Sequence, residues 1–339
     1  PLIKNHDAKN FEIFCYYNNY KFDHVTKRLK SYCKNWRSIF LKKDEDVINN
    51  ILQDNIDILV DLSGHTNGNR LSVFAKKPAP IQVSWLGYPN TTGLSSIDYR
   101  LTDSIADPKG KNDMFYSEEL FRLPNGFQCY NGPNYVKSTT SIPYEKNGYI
   151  TFGSFNNFSK INKNVVKAWL KILKLVPNSR LLLKSSDLNF KNLINQQYLS
   201  DFKIDKDRIV YLERFLDVKE HLKYYNKIDI ALDTFPFNGA TTSFEALWMG
   251  VPVITLNGDR HVSKVGASIL TNINLTEFIS TDLDTYIDQA VQLASNIKYL
   301  KFLRINLRNK MKKSPITDGI NFAIDVENAY RYMVNKKIN

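Results

Sequence analysis

The residue types best suited to chemistry gather between Leu232 and Gly250, in LDTFPFNGATTSFEALWMG. An apolar run ends at Asp233, Pro236 and Gly239 make a tight turn, and Thr241-Thr242 open an apolar-periodic helix that Gly250 closes before Pro252. A helix start presents unpaired N–H groups and the positive end of the helix dipole, so with two hydroxyls beside it this is an anion site. Glu245, one turn further in, is placed to accept hydrogen bonds from ribose hydroxyls. The plainer alternative makes Thr241 a helix N-cap, worth about 1 kcal/mol. In FGSFNNFSK, an aromatic strand runs into Asn156-Asn157 and then Lys160, just before a helix. A lysine at the carboxyl end of a strand can neutralise a diphosphate leaving group; the alternative is a solvated surface lysine.

Histidines supply the remaining candidates. His221, in DVKEHLKYY, can stack on a base or bind phosphate, or stand exposed on a helical face. His65 lies in the polar loop Ser63–Arg70, directly after the buried run IDILVDL. Its ordinary pKa lies near working pH, which suits a general acid or base, but it can equally tie the loop together. A second polar loop runs from Gly87 to Gly93. His261 shares a Gly-bounded loop with Arg260 and Lys264, three side chains able to carry positive charge and meet phosphate or acceptor, whereas His6 and His24 have no supporting context.

These loops need strands and helices to hold them. Ile56–Leu62 and Ile81–Leu86 are short, nearly continuous apolar runs, as in strands buried on both faces of a parallel sheet. Phe11–Tyr17 reads as a further strand, with helical spacing over Val25–Tyr32 and Asp44–Gln53, so this half reads β-α-α-β-α-β. Residues 131–147 lack periodicity and carry Pro133 and Pro143, as a linker does. Strands are then expected at Tyr149–Phe155, Arg180–Lys184, Arg208–Leu212, Ile228–Leu232 and Val251–Leu256, with a helix at Lys163–Val176 and others between. Three closing helices follow, at Asp282–Asn296, Tyr299–Met311 and Phe322–Met333. This alternation predicts two facing Rossmann-like βαβ domains with a cleft between them, an α/β architecture. The expected division is 1–135 for the first half, 148–315 for the second and 316–339 for a closing helix.

Composition excludes several classes. The chain has 339 residues, 43% hydrophobic and 24% charged, which suits about two globular domains and excludes a disordered chain. No apolar stretch is long enough to span a membrane. Cys15, Cys33 and Cys129 form neither a disulfide framework nor a zinc motif, and read as free thiols of the cytoplasm. The net charge of +12 is scattered as single and paired lysines without a run of five, so no nucleic-acid partner is expected. The opening Pro-Leu-Ile reads as the inside of a longer protein.

Three long segments carry a resemblance. DLSGHTNGNRLSVFAKKPAPIQVSWLGYPNTTGLSSIDYRLTD, YITFGSFNNFSKI and LDTFPFNGATTSFEALWMGVPVITL occur in order, and with them the chain from about His6 to Met333 resembles the catalytic region of the O-GlcNAc transferase and SPINDLY family. The resemblance implies the GT-B fold, preceding tetratricopeptide repeats, and inverting transfer from a nucleotide sugar to Ser/Thr of a protein acceptor, with no metal and no cofactor. It implies Lys160 at the donor diphosphate, Thr241 and Thr242 at the phosphate-binding helix start, Glu245 at the ribose and His221 on the nucleobase. Asn157 joins this set, and Leu86 and Gly87 fall where the first domain meets the sugar. Three departures stand out. Ala240 replaces a histidine of the animal enzymes and Val218 a lysine near the base, and the family's proposed catalytic-base histidine lies before Pro1; robust transfer by this chain would promote His65 as the candidate base. YPNTTGLSSIDYR and TFGSFNN are closer to SPINDLY, whose donor is GDP-fucose, so the donor is expected to be UDP-GlcNAc or GDP-fucose. A glycan or lipid-linked acceptor, or a non-catalytic nucleotide-sugar-binding module, are the competing expectations.

Overall fold

The computed structural model describes residues 1–184, 191–192, 194, 199–213 and 217–338. Two compact units divide the chain, one of residues 1–131 with 318–339, the other of 132–317. All strand pairings among the described residues are parallel.

In the first unit, β1 (Phe14–Tyr17) pairs with β2 (Asn35–Ser38), and β3 (Ile58–Asp61), β4 (Ile81–Ser84), β5 (Tyr99–Asp103) and β6 (Glu119–Leu123) form a second sheet in sequential order. The apolar runs around β3 and β4 become strands because each buries side chains on both faces. Ile81, Val83, Trp85 and Leu101 pack against Phe322, Val326, Tyr330 and Met333 of the last helix, Gly319–Ile338. Leu59, Val47, Ile51, Val73 and Phe74 pack together in a second cluster.

Three strands of this unit, β2, β5 and β6, were not expected from the sequence. β5 reads YRLTD and looks like a polar surface segment, yet all five residues are buried. Most of their polar groups are paired instead of solvated, Arg100 Nε being an exception. Arg100 donates to the Tyr88 carbonyl at 2.7 Å, Thr102 donates to Asp107 at 2.5 Å, and Asp103 accepts from the Ala106 and Phe127 amides at 2.7 and 3.1 Å.

In the second unit, β7 (Thr151–Ser154), β8 (Arg180–Lys184), β9 (Ile209–Leu212), β10 (Ile230–Leu232), β11 (Val253–Leu256) and β12 (Ile279–Ser280) form one sheet ordered β12-β11-β10-β7-β8-β9. Numbered within the unit this is 3-2-1-4-5-6, the doubly wound order in which ligands sit beyond the carboxyl ends of the strands flanking the reversal, here β7 and β10. The helix Lys163–Leu175 starts where Asn162 accepts from the Asn164 and Val165 amides at 2.9 and 3.2 Å, and it buries Val165, Val166, Trp169, Leu170, Ile172 and Leu173. That spacing is an apolar stripe of helical period. A five-residue helix, Pro143–Asn147, lies within the stretch expected to be aperiodic. The helical segment expected between Lys184 and Arg208 falls partly outside the described residues. Leu283–Ser295, Ile297–Lys312 and Gly319–Ile338 are the three closing helices. No helix among the described residues is long and apolar enough to cross a membrane.

Candidate active site

At the reversal of the second sheet, β10 ends into Asp233, which is fully buried. Its carboxylate accepts from the Gly239 and Thr234 amides at 2.6 and 2.9 Å, from the Thr255 hydroxyl at 2.8 Å and from the Asn156 side-chain amide at 3.2 Å. Burial pushes its pKa up to about 6, opposed by those hydrogen bonds and by the Lys160 charge. Tyr286 donates to the Asp233 carbonyl at 2.8 Å, and Trp169 donates to the Tyr286 hydroxyl at 3.1 Å, so the helices behind the sheet brace the turn.

The turn is drawn tight around that carboxylate. A Cβ on Gly239 would stand 2.6 Å from the Thr242 hydroxyl, 2.7 Å from that of Ser243 and 2.9 Å from Asn156 Oδ1, so only glycine fits. The chain then enters the helix Thr241–Trp248. Its N-cap is Ala240, with no side-chain cap, and Thr241 is the first helical residue. Thr241 is thus not the cap that one reading of the sequence allowed, and no side chain satisfies the amides of this helix start. The Thr242 hydroxyl donates to Asn156 Oδ1 at 2.7 Å, joining the helix start to the loop after β7.

Lys160 reaches the same turn. Its ammonium donates to the Asn238 carbonyl at 2.9 Å and lies 3.8 Å from the centre of the Phe237 ring. Burial lowers its pKa, and the nearby Asp233 charge partly restores it. One helical turn on, Glu245 Oε2 lies 2.9 Å from His221 Nε2 and accepts from Tyr225 at 3.2 Å. The His221 ring packs near Phe155 and Tyr225, with centroids 6.0 and 5.6 Å away. Lys160, Thr241, Thr242, His221 and Glu245 therefore belong to one neighbourhood. Asn157 is exposed and its side chain accepts from the Ser159 amide, while the buried asparagine touching the others is Asn156. Asn156, Asp233 and Tyr225 were missed from the sequence, although the apolar run closing on Asp233 was a usable signal.

His65, Leu86 and Gly87 lie in the first unit and form their own group. Asp61, at the end of β3, accepts from the Ser63 and Gly64 amides at 3.0 and 2.9 Å and shapes the loop carrying His65. His65 is exposed; its Nε2 lies 2.9 Å from the Thr92 carbonyl and its ring meets Tyr88 edge-on at 5.2 Å. A carbonyl only accepts, so Nε2 carries the hydrogen, and no carboxylate pairs with this ring among the described residues. Leu86 holds a left-handed φ of +70° and is 45% exposed, and the Gly87 amide closes a three-residue turn onto the Trp85 carbonyl at 2.9 Å. Such strain in a non-glycine residue collects at functional sites. A Cβ on Gly87 would stand 2.0 Å from the Leu62 carbonyl oxygen, so the two loops touch backbone to backbone. Of the three basic residues in the His261 loop, Arg260 is exposed while His261 and Lys264 are buried. No cluster of three or more metal-ligating side chains occurs among the described residues.

Comparison with known proteins places this geometry. The model of glycosyl transferase family 41 matches residues 2–140 and 130–326. The chain is 40% identical over 338 residues to a Solanum lycopersicum protein named probable UDP-N-acetylglucosamine–peptide N-acetylglucosaminyltransferase SPINDLY, covering 98% of this chain and 36% of that protein. It therefore spans about a third of the length of that curated relative. A solved mutant of the Thermobaculum terrenum O-GlcNAc transferase superposes with a TM-score of 0.93 at 35% identity, covering 99% of this chain and 64% of that one. Anabaena HepE, solved in complex with UDP, shares the fold with a TM-score of 0.61 at 12% identity, over 98% of this chain and 95% of its own.

Proposed function

Because the chain belongs to glycosyl transferase family 41, we propose that it is the catalytic region of a transferase that moves a sugar from a nucleotide donor to Ser/Thr hydroxyls of proteins. Its fold is the α/β GT-B class. The names of the tomato and Thermobaculum relatives support GlcNAc, from UDP-GlcNAc, as the sugar moved. The segments YPNTTGLSSIDYR and TFGSFNN, closer to SPINDLY than to the animal enzymes, support GDP-fucose as the second candidate donor.

One observation carries the reading: Lys160, the uncapped helix start and the His221–Glu245 pair meet at the strand reversal of the second unit. A donor diphosphate entering there exchanges the Asn238 carbonyl for its own oxygens at the Lys160 ammonium and takes the free amides at Thr241 and Thr242. Glu245 accepts from the ribose hydroxyls, and His221, backed by Phe155, lies against the base. The acceptor hydroxyl attacks the anomeric carbon in line, the bond from that carbon to the diphosphate oxygen breaks, and the configuration inverts. Lys160 and the helix dipole hold the departing charge, so no step calls for a metal. His65 is the candidate on the first unit to take the acceptor proton, with Leu86 and Gly87 shaping the sugar's surroundings. The three free cysteines, Cys15, Cys33 and Cys129, support the cytoplasm as the proposed setting.

Thermal unfolding with UDP-GlcNAc, GDP-fucose, UDP and GDP tests the donor assignment. A ligand at 100 times its Kd adds about 2.7 kcal/mol. We expect one base to stabilise both as diphosphate and as sugar nucleotide; no shift with any of the four defeats the reading.

A further inference from the structure

The six described strands of the second unit form one sheet, whereas the six of the first are split into a pair and a group of four. The second unit is complete in the order 3-2-1-4-5-6, with β7 as strand 1 between β8 and β10. In the first unit β1 pairs with β2 alone and β3 with β4 alone, and every residue of both β1 and β3 lines a single cavity of about 1360 Å³. Laid on the complete sheet, β2 and β1 take places 3 and 2, β3, β4 and β5 take places 4, 5 and 6 in line, and β6 adds a seventh at the edge. The cavity occupies place 1. Small-molecule pockets run to about 1,000 Å³, and this one is larger, with its lining mostly apolar, including Ile58, Val60, Trp85 and Val334. Parallel strands bordering such a gap have unpaired amides and carbonyls aimed into it, which is the condition for adding a strand.

We propose that this cavity seats one further parallel β-strand, supplied by the same polypeptide ahead of Pro1. Chain order fixes the source. In the second unit strand 1 comes first and returns through the helix Lys163–Leu175 to strand 2. In the first unit the helical turn Leu2–Asn5 packs on the last helix and leads into β1, so it stands where the end of that crossover helix belongs. Crossovers between parallel strands are right-handed and link neighbours, so the missing strand precedes this helix. The tomato relative, of which this chain covers 36%, has ample further chain. The added strand ends beside Asp61 and the His65 loop, at this unit's own reversal point. None of this rests on the donor chemistry proposed above.

The test compares residues 1–339 with the same chain extended by the residues its gene encodes immediately before Pro1, about 30 of them for one strand and helix. Backbone amides of Phe14–Tyr17 and Ile58–Asp61 should exchange with deuterium at least a hundredfold more slowly in the extended chain, while those of β6 stay unchanged. The dye anilinonaphthalene sulfonate should bind residues 1–339 and be excluded from the extended chain. If the extended chain does not fold, a synthetic peptide of the same upstream strand added to residues 1–339 should confer the same protection. Equal exchange and dye binding with and without the added residues overturns the proposal. So does protection of 1–339 that rises with its own concentration, because a second copy then fills the gap. Nucleotide binding by the second unit reads separately: its loss leaves this proposal standing, and its persistence does not rescue it.

Discussion

Asp61 and Asp233 hold similar places, Asp61 at the end of β3 and Asp233 directly after β10. Each is buried, accepts from the amides of the loop it launches, and takes a hydroxyl from the neighbouring strand, Ser84 on β4 for Asp61 and Thr255 on β11 for Asp233. From that shared start the two loops diverge. After Asp233 the chain folds at Gly239 straight into a helix, and Lys160, Asn156, Thr242, His221 and Glu245 close around it. After Asp61 it runs out into an exposed loop carrying His65, held to its neighbour loop by the contacts at Thr92, Tyr88 and Gly87. The same device thus builds the enclosed turn proposed above as the diphosphate site in one unit and an open polar surface in the other. A bound nucleotide needs fixed charge complementarity and a variable acceptor needs room, which is the division of labour expected of a transferase.

The comparison breaks most visibly at Lys160. In the full-length protein, Lys160→Ala should cut transfer at least a hundredfold, about 3 kcal/mol, with the melting temperature preserved; near-normal turnover would make Lys160 a surface residue. Asp233 gives the next effect, through pH. Its folded-state pKa of about 6 lies above the ordinary 3.8 because of burial. Between those values the folded chain keeps a proton that the unfolded chain has released, so this group's contribution falls as pH rises from about 4 to about 6 and is level above. Relative to Asp233→Asn, the wild type should lose about 3 kcal/mol across that window, measured by denaturant unfolding at several pH values. A constant difference between the two proteins contradicts the buried carboxyl.

Glu245→Ala should weaken the free nucleoside diphosphate and the whole sugar nucleotide equally, by roughly 1.5–3 kcal/mol, because the lost ribose contacts are common to both. An unchanged affinity for the free nucleotide, read by calorimetry, removes Glu245 from the site. The smallest effect belongs to the first unit. His65→Ala loses one hydrogen bond to Thr92 and should cost about 1 kcal/mol of that unit's stability, with the nucleotide Kd untouched; a change in that Kd would erase the contrast between the two loops.

Much of this was legible because buried parallel strands are written as apolar runs. Those around β3, β4, β7, β8, β10 and β11 were each found, with ends shifted by a few residues, and Thr241-Thr242 after Asn238-Gly239 marked the helix start. β5 was not legible, because Arg100, Thr102 and Asp103 mark a surface segment unless their buried partners are known. Pairings between distant residues were equally hidden. Asn156 with Thr242, Lys160 with the Asn238 carbonyl and His221 with Glu245 each join residues 24 to 86 positions apart, brought together by strand order. The repeated ending of an apolar run on aspartate, in IDILVDL and IDIALD, was the unused clue to both Asp61 and Asp233.

The claim that the turn after β10 is a built diphosphate site is tested most directly by titration calorimetry of UDP-GlcNAc and GDP-fucose into the wild-type chain and its Lys160→Ala variant. One of the two donors should bind the wild type saturably, and the variant should bind that donor at least tenfold more weakly. Failure of both donors to bind, or equal affinity for wild type and variant, would contradict it.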